Sequence, residues 1–375
     1  MAKTISDIYR KTGILGISDE QINEHSYRAW GQALGDLLPV NSRFVVSSDC
    51  RPSSEAYKQT LIEGLVEQGT CVIDIGKCPT NLAFFARDSV DAVGFAAVTG
   101  GSRGPTWNGL RWQLNDLSRS FAQQVEHLRN WRLSDQQDSF LSFGKAGSCR
   151  VWDPTYEWVS WLQEIWFDTP SVPIKVILDP MYGNWAELAS LALRAIFSGF
   201  EIIAIHDQPR SDIENWSPGV QAIYGLHSLK LEVLSQKADL GIALEPDAER
   251  FFLVDDQGEP LSNDEICWLF LQMLGPSLKD EFFLHTPRCS VKNIAEGERY
   301  GGKAMLVSAE EEPFLAEMKR TEALIGFGDG GEIYYRGVRG NRIVFFAICW
   351  ILDYLAHLRC PLSLWRTQFP EGFFR

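Results

Sequence analysis

The sequence predicts an α/β protein of three successive units. Three observations predict it: short β-branched apolar runs recur along the 375 residues, helical segments separate them, and the rhythm restarts twice. At roughly 150 residues per domain the length fits two to three domains. Hydrophobic residues make up 45% of the chain and charged residues 22%, which excludes disordered and collagen-like architectures.

In the first unit, SDEQINEHSYRAWGQALGDLL starts with Ser18 as a helix cap and Gln21 three residues on. Ile22, Tyr27, Trp30, Leu34 and Leu38 follow at helical spacing. The β-branched run Arg43–Ser48 (RFVVSS) predicts a strand, Ser53–Gln68 a helix closed by Gly69, and Cys71–Ile75 (CVIDI) a second strand. Leu82–Asp88 then reads as helix and Ala92–Val98 as strand. Strands separated by helices in this way predict a parallel-type layer.

The second unit runs from the strand Ile174–Leu178 through a helix over Trp185–Phe197 stopped by Gly199. A strand over Glu201–Ile205, a helix over Leu229–Gln236 and a strand over Asp239–Leu244 complete it. The third alternates Phe282–Leu284, Lys292–Arg299, Ala304–Val307, Glu312–Lys319 and Ala323–Ile325, and closes with a long helix over Ile343–Leu358. Ser134–Arg150 and Asp255–Asp264 are the expected seams. The predicted domains are therefore 1–145, 146–256 and 257–362, with a tail over 363–375. Its Trp365, Phe369, Phe373 and Phe374 are either packed cover or, with the face near the third domain, a docking site for another protein or a second copy of the chain.

Lys plus Arg against Asp plus Glu gives 35 − 49 = −14. Nonspecific binding to nucleic acid or to an anionic bilayer therefore lacks its electrostatic basis, and an anionic ligand needs a local basic pocket. The longest apolar run, Ile343–Leu352, is about half of what spans a bilayer. MAKTISDIYR carries no apolar signal region, so a cytoplasmic address is expected. The eight cysteines stand singly without a CxxC, which reads as reduced thiols filling the core.

Three loops sit where strands end, the usual place for an α/β site. Thr99–Gly109 (TGGSRGPTWNG) is Gly-rich, and its backbone N–H groups form either a phosphate nest, with Arg103 or Arg111 pairing to the anion, or only a tight turn. In Glu245–Arg250 (EPDAER) an extended backbone puts Glu245, Asp247 and Glu249 on one side, as oxygen ligands for Mg²⁺ or as a solvated acidic turn. Gly326–Gly331 (GFGDGG) offers Asp329 as its functional side chain.

In this order and spacing the loops resemble those of the α-D-phosphohexomutases, the phosphoglucomutases and phosphomannomutases. YRKTGILG (9–16) resembles F-G-T-x-G-I-R-G, SSDCRPSS (47–54) G-x-D-x-R-x-S, and GKCPT (76–80) G-x-x-P-T. VTGGSRGPTWNGLR resembles I-T-A-S-H-N-P-x-x-x-N-G-x-K, ILDPMYGN (177–184) V-D-x-x-H-G, and EPDAERFFLVDDQGE D-G-D-x-D-R followed by D-x-x-G. The resemblance implies three successive phosphoglucomutase-type α/β domains with mixed sheets. The family's fourth domain, with its R-x-S-G-T-E-P clamp, has no counterpart before Arg375.

The resemblance also implies a serine that carries a phosphoryl group, Mg²⁺ on three Asp side chains, and a phosphosugar ligand. Arg51, Arg103, Asn108, Arg111, Arg250 and Asp329 take the phosphate- and substrate-binding places, and Glu245, Asp247 and Glu249 the metal's. Counting back from Asn108 without a gap puts Gly101 at the serine and Ser102 at the following His. Leu15 replaces the Arg of G-I-R-G, Pro246 a glycine, Phe327 and Gly331 the Glu and His of the sugar motif, and Glu310 a Lys. Glu245 and Glu249 are each one methylene longer than Asp, a poor match for octahedral Mg²⁺, so a weakly held ion is expected. Two readings follow. The first is a catalytically impaired relative that binds or regulates. The second is an active divergent phosphosugar mutase or phosphatase using Ser102 and a carboxylate-bound Mg²⁺.

Overall fold

The β-branched run at 43–48 forms its strand as expected and becomes the middle of a seven-stranded sheet. In the computed structural model the residues described are 8–115, 118–133, 147–170, 172–211, 226–246, 249–338, 343–358 and 360–369. Two compact units are present. Met1–Trp161 with Tyr182–Ala186 and Gln208–Ala222 make the first, and Leu162–Met181, Glu187–Asp207 and Ile223–Arg375 the second.

The first unit holds β1 (Tyr9–Arg10), β2 (Gly13–Ile17), β3 (Arg43–Ser48), β4 (Cys71–Lys77), β5 (Gly94–Val98), β6 (Trp107–Leu114) and β7 (Ser148–Val151). Their order is β1-β2-β6-β5-β3-β4-β7. The pairs β3/β4, β3/β5 and β4/β7 are parallel, whereas β6 is antiparallel to β2 and β5. The sheet is thus mixed. Because β7 pairs with β4 from Cys71↔Ser148 to Asp74↔Val151, residues 148–151 belong to the first sheet and do not open a second domain at 146. The rest of that seam, 134–146, lies outside the described residues.

Helices α1 (Glu24–Asp36), α2 (Ser54–Glu67), α3 (Thr80–Ser89), α4 (Phe121–Leu133) and α5 (Thr155–Ile165) follow in chain order. The first begins five residues later than the Ser18 cap predicts. Asn23 Oδ1 accepts from Ser26 N at 3.1 Å and Ser26 Oγ accepts from Asn23 N at 3.3 Å, a reciprocal cap, while Ser18 N donates to Thr106 O instead. A Cβ on Gly31 would lie 2.2 Å from Leu61 O, and one on Gly64 2.2 Å from Arg28 O. Bare backbones therefore let α1 and α2 pack this closely. Tyr27, Trp30 and Tyr57 fill the core beneath, with Tyr27 stacked on Tyr57 at 4.5 Å.

The second unit holds two four-stranded sheets. One has the order β11-β10-β8-β9, from β8 (Lys175–Asp179), β9 (Glu201–Ala204), β10 (Leu240–Leu244) and β11 (Phe251–Asp255), with α6 (Leu188–Ile196) and α7 (His227–Gln236). The helix expected from Trp185 starts at Leu188, because Met181, Tyr182 and Glu187 hold positive φ values of 49°, 57° and 65°.

The other sheet has the order β13-β12-β14-β15, from β12 (Phe282–His285), β13 (Lys303–Leu306), β14 (Ile325–Phe327) and β15 (Ile333–Tyr335). Helices α8 (Asn263–Leu274), α9 (Val291–Arg299), α10 (Glu311–Thr321), α11 (Val344–Leu358) and α12 (Leu362–Arg366) complete the unit. Strand β14 starts two residues later than expected, since Ala323 N is engaged in closing α10 on Met318 O. Among the described residues no helix is long and apolar enough to cross a membrane.

The tail resolves in favour of cover. Trp365 is 2% exposed and Phe369 6%, Phe369 meets Trp268 of α8 edge-on, and Arg366 pairs with Asp255 and Glu265. These two aromatics are buried and offer no docking face; Phe373 and Phe374 lie outside the described residues.

Candidate functional site

The first loop leaves β5 after Val98 and enters β6 at Trp107, and its shape is set by Arg51. The Arg51 guanidinium donates from Nε to Asp49 Oδ2 (2.8 Å), from Nη1 to Gly104 O and Trp107 O (2.9 and 2.8 Å), and from Nη2 to Gly101 O and Arg103 O (2.5 and 2.8 Å). A guanidinium has five N–H groups, and all are engaged. With 1% exposure it has none left for a phosphate, so the substrate-binding role expected of Arg51 gives way to positioning of the loop. Asp49 supports it, accepting from Gly100 N, Arg51 N and Ser54 Oγ.

Asn108 is corrected in the same way. It is fully buried, its Nδ2 donates to Ser53 Oγ and Ser54 Oγ, and its Oδ1 accepts from Tyr27 Oη and Gly109 N. It ties β6 to the start of α2. Arg111 is half-buried on β6, opposite Ala97 in the ladder. The loop's outer residues are Gly101, at φ +55° with open space where a Cβ would stand, the half-buried Ser102, and the exposed Arg103, whose guanidinium sits 5.4 Å from the Trp107 ring centre.

The second loop follows β10. Glu245 is 4% exposed, its N–H donates to Arg250 O (3.0 Å), and its Oε2 accepts from Arg250 Nε at 2.8 Å. A carboxylate expected to hold Mg²⁺ is thus joined to an arginine cation, and Arg250, expected to meet phosphate, holds that carboxylate. Asp247 lies outside the described residues and Glu249 is half-buried. Among the described residues no group of three or more His, Cys, Asp or Glu side chains is arranged to hold a metal.

An acid–base pair that the sequence reading passed over stands on the same sheet. Asp179, 1% exposed at the end of β8, has both carboxylate oxygens 3.1 Å from His206 Nδ1 and accepts from Met181 N. That hydrogen bond, opposed by burial, raises His206 above the ordinary imidazole value. Its signal was legible: Asp179 lies in ILDPMYGN, and His206 is the residue after the strand predicted over 201–205.

The third loop turns between β14 and β15. Phe327 points into the core at 6% exposure, and Glu332 Oε2 accepts from Gly330 N at 2.8 Å. Asp329 stands 3.6 Å from Arg288 Nε through Oδ2, while its buried Oδ1 has no hydrogen-bond partner. Arg250 Nη1 comes within 3.2 Å of where a Cβ on Gly330 would be, so this arginine touches both the second and third loops. A cavity of about 170 Å³ opens beside the loop, where β12 and β14 end against the first turn of α8. Arg288, Glu332, Cys267 and Cys289 line it with Asp329; sequence reasoning named only the last as a site residue and read the two cysteines as core thiols. Loop one belongs to the first unit, and loops two and three to the second.

Comparison with known proteins gives matches to the phosphoglucomutase/phosphomannomutase family, alpha/beta/alpha domain I over residues 7–129 and domain II over residues 160–258. A phosphoglucosamine mutase of Gloeothece citriformis is 28% identical over 325 residues, covering 83% of this chain and 65% of its own length. This chain thus spans just under two thirds of that relative. The crystal structure of a phosphoglucomutase/phosphomannomutase family protein from Burkholderia thailandensis superposes with a TM-score of 0.85 at 20% identity, over 98% of this chain and 80% of that one. An N-acetylphosphoglucosamine mutase of Aspergillus fumigatus, solved with GlcNAc-6P and magnesium, superposes at 0.51 with 13% identity, over 88% of this chain and 66% of that one.

Proposed function

The chain belongs to the α-D-phosphohexomutase family, the phosphoglucomutases and phosphomannomutases, and from that membership we propose that it is a member that has lost phosphoryl transfer and serves as a binding or regulatory protein for a phosphosugar. One observation carries the reading. The position that the family motif gives to its serine is Gly101, which has no hydroxyl to take a phosphoryl group, and it sits in a loop clamped by Arg51. Covalent phosphoryl transfer needs that oxygen.

Magnesium fits the described residues poorly. Glu245 already has a cation on one of its two oxygens, and Pro246 stiffens the turn behind it. A phosphosugar ligand is supported by the GlcNAc-6P bound to the Aspergillus relative and by the family's chemistry. The exposed Arg103 is the residue we assign to its phosphate. A further protein, or a second copy of the chain, is the remaining partner class of a regulatory member.

A second reading keeps one specific feature. Ser102 is adjacent to Gly101, half-buried, and without a hydrogen bond among the described residues. An active mutase or phosphatase would use it as the nucleophile. The test is the intact mass of the protein after incubation with glucose 1,6-bisphosphate. No added phosphoryl group supports the binding protein. A phosphoryl group that Ser102→Ala removes overturns it.

A further inference from the structure

The cavity of about 170 Å³ has one apolar side and one charged side. Ile266 of α8, Phe327 of β14 and Ile333 of β15 make the first, none more than 6% exposed. The second carries three carboxylates and one guanidinium, which differ in what already holds them. Asp264 accepts from Ser290 N at 3.1 Å and from Asn293 Nδ2 at 3.0 Å, and Glu332 accepts from Gly330 N at 2.8 Å. Asp329 and Arg288 have only each other among the described residues: Oδ2 stands 3.6 Å from Nε, Oδ1 has no hydrogen-bond partner, and the Arg288 side chain is 79% exposed. Thr286, 1% exposed, lines the cavity with a hydroxyl that makes no hydrogen bond among the described residues.

We propose that this cavity is a binding site for a small apolar α-amino acid, with Asp329 holding its ammonium and Arg288 its carboxylate. The two least committed charges are one anion and one cation, the complement of a zwitterion. An ion pair this long with one partner in solvent is weak, so a ligand readily exchanges it for two shorter pairs. The last torsion of an aspartate is broad, and turning about it presents the unpartnered oxygen to an ammonium. The guanidinium fork matches a carboxylate. The Thr286 hydroxyl gives the charged end of the ligand a further hydrogen bond, and the apolar side takes its side chain.

Size and charge narrow the ligand class. A cavity of about 150 Å³ accepts benzene, so this one suits a molecule of about six to eight heavy atoms, the range from alanine to valine. Among the described residues no three His, Cys, Asp or Glu side chains are arranged to hold a metal, which disfavours a bare cation. A phosphorylated ligand would bring its own negative charge against three carboxylates. The amino acid therefore does not compete with the phosphosugar. Bound, it links the turn between β14 and β15 to the loop after β12.

The experiment is titration of the full-length protein, followed by ligand-observed NMR, with L-valine, with isobutylamine, which lacks the carboxylate, and with isovalerate, which lacks the ammonium. L-valine is expected to bind with a dissociation constant of about 1 mM or tighter, and each analogue at least about tenfold more weakly. Arg288→Gln should weaken L-valine about tenfold and leave isobutylamine unchanged. Asp329→Asn should weaken L-valine to the same degree and leave isovalerate unchanged. Absence of L-valine binding overturns the proposal, as does an analogue that binds the wild-type protein equally well, or L-valine binding that either substitution leaves intact. So does displacement of L-valine by glucose 6-phosphate, which would give the cavity to the phosphosugar. The comparison of ligands and the displacement are made on the wild-type chain and do not depend on how a variant folds.

Discussion

Arg51 Nε lies 2.8 Å from Asp49 Oδ2, in an ion pair whose side chains are 0% and 2% exposed. Four loop carbonyls complete its coordination, so a residue of the strand-to-helix turn after β3 dictates the course of the chain between β5 and β6. Removing one partner of a buried pair leaves the other charge uncompensated. Arg51→Ala is expected to lower the unfolding free energy by about 3–5 kcal/mol. Urea unfolding checks this, and a loss within experimental error would show that the loop holds its shape without the guanidinium.

Gly101→Ser puts a hydroxyl where the family motif would place its serine, at a position with room for a Cβ but with φ +55°. The left-handed backbone costs about 1–2 kcal/mol for a residue with a Cβ, so the variant should fold. Mutase turnover on glucose 1-phosphate or mannose 1-phosphate should stay at background in both proteins. Turnover on the order of 10 per second in either one would remove the proposed loss of catalysis.

Magnesium binding should be millimolar or weaker by calorimetry, because Arg250 occupies one oxygen of Glu245. Asp247→Asn should abolish what heat is seen. Arg250→Gln, which removes the guanidinium from Glu245 Oε2, is expected to tighten it. Micromolar affinity in the wild-type protein would mean that the loop kept a metal role.

The Asp179–His206 pair makes stability depend on pH. Folding raises the His206 value, so the folded state binds the proton more tightly than the unfolded one. The stabilisation is fully present below the unfolded imidazole value, about 6.5, and is lost as pH rises through the higher folded value. Urea midpoints of the wild-type protein and His206→Gln should therefore differ most in acid and converge as pH rises. A gap that widens with pH would contradict the hydrogen bond as drawn.

Truncation after Leu364 removes the buried Trp365 and Phe369 and takes Arg366 away from Asp255 and Glu265, both 2% exposed. A loss of at least about 3–5 kcal/mol is expected in the melting of the second unit, with no change in the sedimentation of the folded fraction. Unchanged stability together with a smaller particle would return these aromatics to a docking role.

Much of the fold was legible because it rests on local properties. The run RFVVSS needs only its own β-branched side chains to prefer an extended backbone, and it became β3 residue for residue. Helix boundaries were less legible where a competing cap stood nearby: Ser18 and Asn23 both offer cap chemistry, and Asn23 has Ser26 to complete the reciprocal pair. The edge strand β7 went unseen because SCRV is short and is defined by its pairing with β4.

The sequence by itself determined the alternation of strands and helices and the three loops at strand ends, and its resemblance to the family motif put Gly101 at the serine position. Each of these is a property of residue order, period or side-chain identity. Only the tertiary structure decided what Arg51, Asn108 and Arg250 do, because the partner of a charged or polar side chain is set by which strand edges the topology brings together. Asp179 and His206, 27 residues apart, meet because β8 and β9 are parallel neighbours. The Arg51 guanidinium finds its carbonyls 50 to 56 residues away because the chain between β5 and β6 folds back over the turn after β3. Burial then makes those pairings obligatory, since an arginine or carboxylate removed from water must keep the partner that the fold provides.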